Sequence, residues 1–225
     1  MKAIIFSLLG WMFLPVMDGF AKFLSDDLPI LQITWARYFF TVVFTLPIMI
    51  FFFKKQLVWS DKPKLQILRG LILLSANICF FYAISIISLA KALTLAFVAP
   101  LIVTAFSPVM LGEKVGFRRW TAVVVGFVGS LVVIRPGFVE LNFASLAALG
   151  TGILYGFYLI ITRKLSTSDN PLLTLLMTGM VGAILVSAII PFYWVKPSLN
   201  QWSLMAGIGV FACIGHLFLI LSLKY

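Results

Sequence analysis

Long apolar runs separated by short polar gaps set the pattern of this chain. Eight runs stand out, at residues 3–24, 30–53, 68–89, 92–111, 120–134, 141–162, 172–195 and 202–223. A helix needs about 20 apolar residues to cross a bilayer core, so the pattern predicts eight transmembrane helices. The gaps hold the loop signals Ser25-Asp26-Asp27, Lys54-Lys55 through Lys64, Glu113-Lys114, Arg135-Pro136-Gly137, Asp169-Asn170-Pro171 and Lys196-Pro197. None is long enough for a soluble domain, so any chemistry lies inside the membrane or at its surfaces. Pro15, Pro47, Pro100, Pro108 and Pro191 interrupt spans and free carbonyls that protein or cavity water must satisfy. Pro100, in mid-span, is the best kink candidate.

Composition excludes a soluble globular protein. Of 225 residues, 62% are apolar and 11% charged, and the mean hydropathy is +1.13; ordinary domains carry about 25% charged residues. The net charge of +10 does not point to nucleic acid, because Lys and Arg sit mostly in the gaps between spans rather than on one solvated face. Cys79 and Cys213 lie inside apolar runs, where a thiol behaves as a small hydrophobe. No Cys/His metal spacing is present, and no metal or cofactor is expected. The first run exceeds a signal-peptide core and lacks a cleavage site, so it reads as a retained helix.

Twelve Lys and Arg fall on one side: Lys2, Lys54, Lys55, Lys62, Lys64, Arg69, Lys114, Arg118, Arg119, Arg163, Lys164 and Lys224. Five fall on the other: Lys22, Arg37, Lys91, Arg135 and Lys196. The positive-inside rule then places the N-terminus in the cytoplasm. Five spans precede the break at Pro136-Gly137, and a second series follows. Ala21-Lys22-Phe23-Leu24-Ser25 echoes Thr162-Arg163-Lys164-Leu165-Ser166, and Leu65 and Gly70 echo Leu204 and Gly209. A repeat with an odd number of spans inverts its second copy, as in many transporters. The expected units are 1–138, with five helices, and 139–225, with three. Eight spans of an expected ten would make the chain a C-terminally truncated piece of an all-α polytopic protein.

Several segments resemble a known family. Ile67-Leu68-Arg69-Gly70, Leu111-Gly112-Glu113-Lys114, Arg118-Arg119-Trp120, Val125-Gly126-Phe127-Val128-Gly129 and Arg135-Pro136-Gly137 together look like the EamA-type domain of the drug/metabolite transporter superfamily. Asp18-Gly19-Phe20-Ala21-Lys22 and Trp35-Ala36-Arg37-Tyr38 are similar to segments of its S-adenosylmethionine and riboflavin importer branches. The resemblance implies two inverted five-helix repeats, a central substrate cavity and alternating access. It marks Lys22, Glu113, Arg119, Gly126 and Pro136 as structural signature positions, with Glu113 bonding its turn and Arg118 or Arg119.

Ionisable groups within spans point to function. Asp18 and Arg37 fall at similar depth, either as a self-neutralising ion pair or facing a wet cavity, and Lys22 is one turn from Asp18. His216 and Asn77 occupy corresponding places in the two units, where each either contacts substrate or makes an interhelical hydrogen bond. Tyr82, Phe97, Tyr155 and Tyr158 are candidates for stacking on a planar substrate, against simple packing. Small residues recur every fourth position at Ala122, Gly126 and Ser130, at Ala144, Ala148, Gly152 and Gly156, and at Gly179, Ala183 and Ser187, which predicts close helix contacts. The expected function is secondary transport of a small metabolite across the cytoplasmic (inner) membrane, with proton or exchange coupling. Partners are the substrate and the lipid bilayer, without nucleic acid. No nucleotide-binding loop exists to use ATP. A membrane-embedded enzyme would need a nucleophile–base or metal constellation that the sequence lacks.

Overall fold

The computed structural model describes residues 1–53, 60–134, 142–166 and 168–224, with the backbone alone at 130, 131, 133 and 134. Every regular element among them is helical: α1 (Lys2–Leu24), α2 (Ile30–Phe52), α3 (Pro63–Ile86), α4 (Leu89–Ala96), α5 (Ala99–Leu111), α6 (Phe117–Ile134), α7 (Phe143–Leu165), α8 (Pro171–Ile189) and α9 (Leu199–Lys224), with a 3₁₀ turn at Ile190–Tyr193. Seven segments are long and apolar enough to cross a membrane, with α4 and α5 acting together as one of them. The fold is all-α and polytopic. Lys54, Lys55, Arg135, Pro136, Gly137 and the Ser130 side chain lie outside the described residues.

Local chemistry sets the boundaries. Pro63 and Pro171 open α3 and α8 at positions where a missing N–H costs nothing. Asn142 and Asn170 cap α7 and α8 by accepting from the backbone N–H groups of Ser145 and Leu172, at 2.9 and 2.8 Å. Gly112 ends α5 in the left-handed region (φ 70°), which a residue with a Cβ adopts at a cost. The fourth span is broken at Phe97-Val98, just ahead of Pro100. A proline ring clashes with the carbonyl four residues back, here that of Ala96, the last residue of α4.

α1 lies along α9 and α3 along α7, while α2 packs on both α8 and α9. α7 also carries α4 and α5; among the described residues, α6 touches only α4 and α5 to any extent. The small-residue stripe of α7 does what its spacing predicts. A Cβ on Gly152 would sit 2.4 Å from Val98 Cγ1 and 2.6 Å from the Ala96 carbonyl oxygen, and one on Gly156 would sit 2.7 Å from Ile102. The broken fourth span thus rests directly on the α7 backbone. On α8, Gly179 faces Val42 and Thr41 of α2. The α6 stripe is different, since nothing lies within 4 Å of a Cβ at Gly126.

The end opposite Met1 is closed by aromatic rings and one buried amide. Trp35 lies 5.2 Å from Trp194 and 6.4 Å from Trp202, centroid to centroid. Gln32, fully buried, donates to the Val195 carbonyl at 2.8 Å and accepts its N–H at 3.0 Å. Amphipathic rings of this kind favour the membrane–water boundary.

Candidate functional site: a buried basic centre

Two arginines lie within the bundle, and their hydrogen-bond saturation separates them. Arg69 is completely buried, although the hydropathy pattern put it at the mouth of its span. α3 starts five residues earlier than the apolar run, at Pro63, which carries Arg69 about 9 Å into the helix. Its Nε donates to Thr162 Oγ1 at 2.7 Å, Nη2 to Tyr158 OH at 2.9 Å, and Nη1 to the Thr174 carbonyl at 3.0 Å and Thr178 Oγ1 at 2.5 Å. Gln66 Oε1 stands farther off at 3.5 Å. The arginine fork therefore ties α3 to α7 and α8 through neutral acceptors. Behind it, the Gln66 amide donates to Asp169 Oδ2 at 2.6 Å, and Ser60 donates to the same oxygen at 2.5 Å.

Arg37, from α2, is only 2% exposed. Its Nη2 donates to His216 Nε2 on α9 at 2.7 Å. A guanidinium has no lone pair to offer, so Nε2 must accept, and His216 is held as the neutral tautomer with its proton on Nδ1. That Nδ1 lies 3.2 Å from Tyr158 OH, so the imidazole N–H donates to the oxygen that Arg69 also reaches. The result is a continuous line, Arg69–Tyr158–His216–Arg37, through helices α3, α7, α9 and α2. Among the described residues it contains no carboxylate. Arg37 also stands over the Tyr38 ring, 4.8 Å from its centroid, yet its Nε has no hydrogen-bond partner. Tyr155 OH is likewise buried without one, its ring stacked on Tyr158 with centroids 5.3 Å apart. Unpaired buried donors cost about 1–3 kcal/mol each, so they are informative.

Asp18 on α1 is buried at 7% exposure. Of the two readings of Asp18 and Arg37, the self-neutralising ion pair is not formed, since among the described residues the ion pairs within 4.0 Å are those of Glu113 with Arg119 and Arg163. Arg37 instead turns to His216, and it acts on Asp18 only across a gap. Lys22, half-buried in the last turn of α1, makes no ion pair with Asp18. Asn77 donates to Tyr38 OH and to the Leu73 carbonyl, both at 2.7 Å, and so braces α3 against α2. Tyr82 and Phe97 are 38% and 52% exposed, and neither joins the centre.

Glu113 bonds Arg163 Nε at 2.7 Å and stands 3.8 Å from Arg119. It joins the α5–α6 turn to the end of α7, a partner the spacing did not reveal. Beside it a cavity of about 520 Å³ is lined by Lys62, Glu113, Arg163, Lys164 and Lys224 among others, at the same end of the bundle as Arg69.

The EamA-like transporter family matches residues 1–135. The chain is 27% identical to the S-adenosylmethionine uptake transporter of Rickettsia bellii, over 96% of this chain and 75% of that protein. It is 22% identical to a riboflavin transporter of Vibrio cholerae, over 89% and 69%, and 27% identical to the pseudopaline exporter CntI of Pseudomonas aeruginosa, over 91% and 72%. A crystal structure with the same fold superposes with a TM-score of 0.76 at 16% identity, covering 97% of this chain and 79% of the other. With a buried polar centre inside a bundle of membrane-crossing helices, this chain belongs to the EamA-like transporter family.

Proposed function

We propose that the protein is a secondary transporter that moves a small polar metabolite across the cytoplasmic membrane by alternating access. The observation that carries this reading is the Arg69–Tyr158–His216–Arg37 line with its unpartnered Arg37 Nε. Buried charge in a membrane bundle is costly and marks substrate or ion pathways. Arg37 supplies the docking cation, because it retains hydrogen-bonding capacity. Arg69 commits four of its five N–H groups to the bundle and acts as a bolt toward the basic cavity. The relatives' names, which include S-adenosylmethionine and riboflavin, favour a substrate with a planar ring, and the Tyr155–Tyr158 stack offers a face for it. Coupling is to protons or to exchange, and no cofactor takes part.

The two-unit organisation, 1–138 and 139–225, is supported by matching contacts. Gly70 of α3 abuts Val181 of α8, and Gly209 of α9 abuts Phe40 of α2. An offset of 141 residues between α2 and α8 relates Phe40 to Val181 and maps the pair Gly182–Tyr38 onto Thr41–Gly179, while 139 residues separate Gly70 from Gly209. Exchanging the halves likewise turns the α1–α9 contact into the α7–α3 contact. Two such units rocking against each other would expose the centre to either side in turn.

Trans-stimulated exchange tests the function. Uptake of labelled S-adenosylmethionine or riboflavin into proteoliposomes should saturate and rise when the unlabelled compound is preloaded. Flux that neither saturates nor responds to preloading means a channel. Orientation has its own check. Lys64 and Lys196 are both exposed, at opposite ends of the bundle. In intact cells a membrane-impermeant amine reagent should label Lys196 and spare Lys64; the reverse pattern inverts the topology.

A further inference from the structure

At the Met1 end of the bundle, the ends of α5, α7 and α9 and the approach to α3 enclose a cavity of about 520 Å³ that the buried centre does not use. Short bonds hold these elements around it. Glu113, just past α5, accepts from Arg163 Nε at 2.7 Å, and the Leu223 carbonyl of α9 accepts from Ser166 Oγ at 3.1 Å and Arg163 Nη1 at 3.3 Å. Among the described residues the lining carries four cations, Lys62, Arg163, Lys164 and Lys224, against the one carboxylate of Glu113. Three helix C-termini also converge here, and each contributes about half a negative charge. With Glu113 they offset about two and a half of the four positive charges, so the cavity stays positive. Lys62 and Lys224 are exposed and form no ion pair among the described residues.

Charge alone would suit any anion, and the rest of the lining narrows the class. Met110, Leu111 and Leu223 set apolar, half-buried side chains beside the cations. Phe106 and Val109, a turn before Met110 on one face of α5, are 40% and 83% exposed, so an apolar track leads from the cavity along a membrane-crossing segment. A free phosphate gains nothing from that track. It would also fill little of a cavity whose volume lies in the range of about 300–1,000 Å³ that holds drug-sized molecules. A lipid has both a charged and an apolar part, and basic pockets between membrane helices hold anionic headgroups. We propose that this cavity seats the phosphodiester headgroup of an anionic membrane lipid between Lys62, Arg163 and Lys224, with its acyl chains against Met110, Leu111 and the α5 track. The lipid bridges α7 to α9, a pair that packs only lightly along its length.

The test titrates the protein in detergent micelles with phosphatidylglycerol or with phosphatidylcholine of the same acyl chains, and reads apparent affinities by native mass spectrometry. Each basic side chain near an anionic headgroup is worth about fivefold in affinity, so phosphatidylglycerol should bind at least about tenfold more tightly than phosphatidylcholine. By the same measure Lys62→Gln with Lys224→Gln should lose about tenfold or more of the phosphatidylglycerol affinity, at an unchanged melting temperature without lipid. Lys62→Arg with Lys224→Arg should keep it. Lys114 is an exposed cation at the same end but outside the cavity lining. Lys114→Gln should stay within about twofold of wild type, because screening removes distant charges. Equal affinity for the two lipids overturns the proposal. An equal loss in Lys114→Gln also overturns it, since the attraction would then be spread over the surface. Displacement of phosphatidylglycerol by an equal concentration of inorganic phosphate would make the cavity a free-anion site and remove the lipid.

Discussion

Arg69→Leu should lower the stability of the folded bundle by about 2–4 kcal/mol, the largest loss expected from any single side chain here. Arg69 makes four hydrogen bonds of 3.0 Å or shorter, to acceptors on α7 and α8. Interhelical hydrogen bonds in membranes average about 0.6 kcal/mol each, which sets the lower figure. A charged donor raises the worth of each to about 1.5–3 kcal/mol, but bonds sharing one guanidinium do not add. Leucine fills part of the space and leaves Gln66 and Tyr158 each short of a partner. Arg69→Lys should recover only part of the loss, because an ammonium has three donors and no planar fork. Thermal unfolding in mild detergent, followed by size-exclusion chromatography, measures this directly. A melting temperature within a degree of wild type for Arg69→Leu would show that the cluster does not hold the bundle together.

Gly209→Ala ranks second, at about 2–3 kcal/mol, the upper part of the range for overpacking. Its new methyl would lie 2.2 Å from Phe40 Cβ and 3.1 Å from the Phe40 Cα and carbonyl carbon. None of those atoms can rotate away, so α9 would have to back off from α2. The separation of Arg37 from His216 would grow with it. The matching Gly70→Ala should cost less, since its nearest contacts, at 2.9–3.1 Å, are all atoms of the single Val181 side chain. Gly126→Ala is the control. With nothing within 4 Å of its Cβ, it should be neutral or gain up to about 1 kcal/mol from helix propensity. If Gly209→Ala melts like Gly126→Ala, the close packing of α9 on α2 is wrong.

Span order and most boundaries were legible because bilayer thickness imposes a length that hydropathy records; of the eight expected spans, seven are long and apolar enough to cross among the described residues, and α6 is the one that is not. Pro100 announced the break in the fourth span, since a proline acts on the carbonyl four residues back wherever it stands. Arg69 was misplaced for an instructive reason. The apolar run begins at Leu68, but Pro63 starts the helix a turn earlier, so a residue counted with the surface charges lies buried among Thr162, Thr174 and Thr178. Its removal from the surface tally still leaves eleven Lys and Arg on that side against five. The centre itself was half visible. Asp18, Arg37, Tyr155, Tyr158 and His216 were identifiable as polar or aromatic groups within spans, but which of them touch depends on helix rotation. Hydropathy does not encode that when a helix is apolar all round. Depth alone paired Asp18 with Arg37, whereas packing of α9 on α2 brings His216 to 2.7 Å from Arg37 instead. Gln66 and Thr178 owe their roles to partners on other helices, Asp169 and Arg69, that spacing along the chain does not reveal.

The central claim is that the centre around Arg37 is where substrate docks, and trans-stimulated exchange in Arg37→Gln against wild type tests it most directly. Glutamine keeps one donor for His216 and removes the cation. A lost charge-assisted contact is worth about 1.5–3 kcal/mol, or about 10- to 150-fold in apparent affinity. Arg37→Gln should insert and melt close to wild type while half-saturation shifts upward by at least tenfold. Unchanged half-saturation and unchanged maximal exchange in that variant would contradict it.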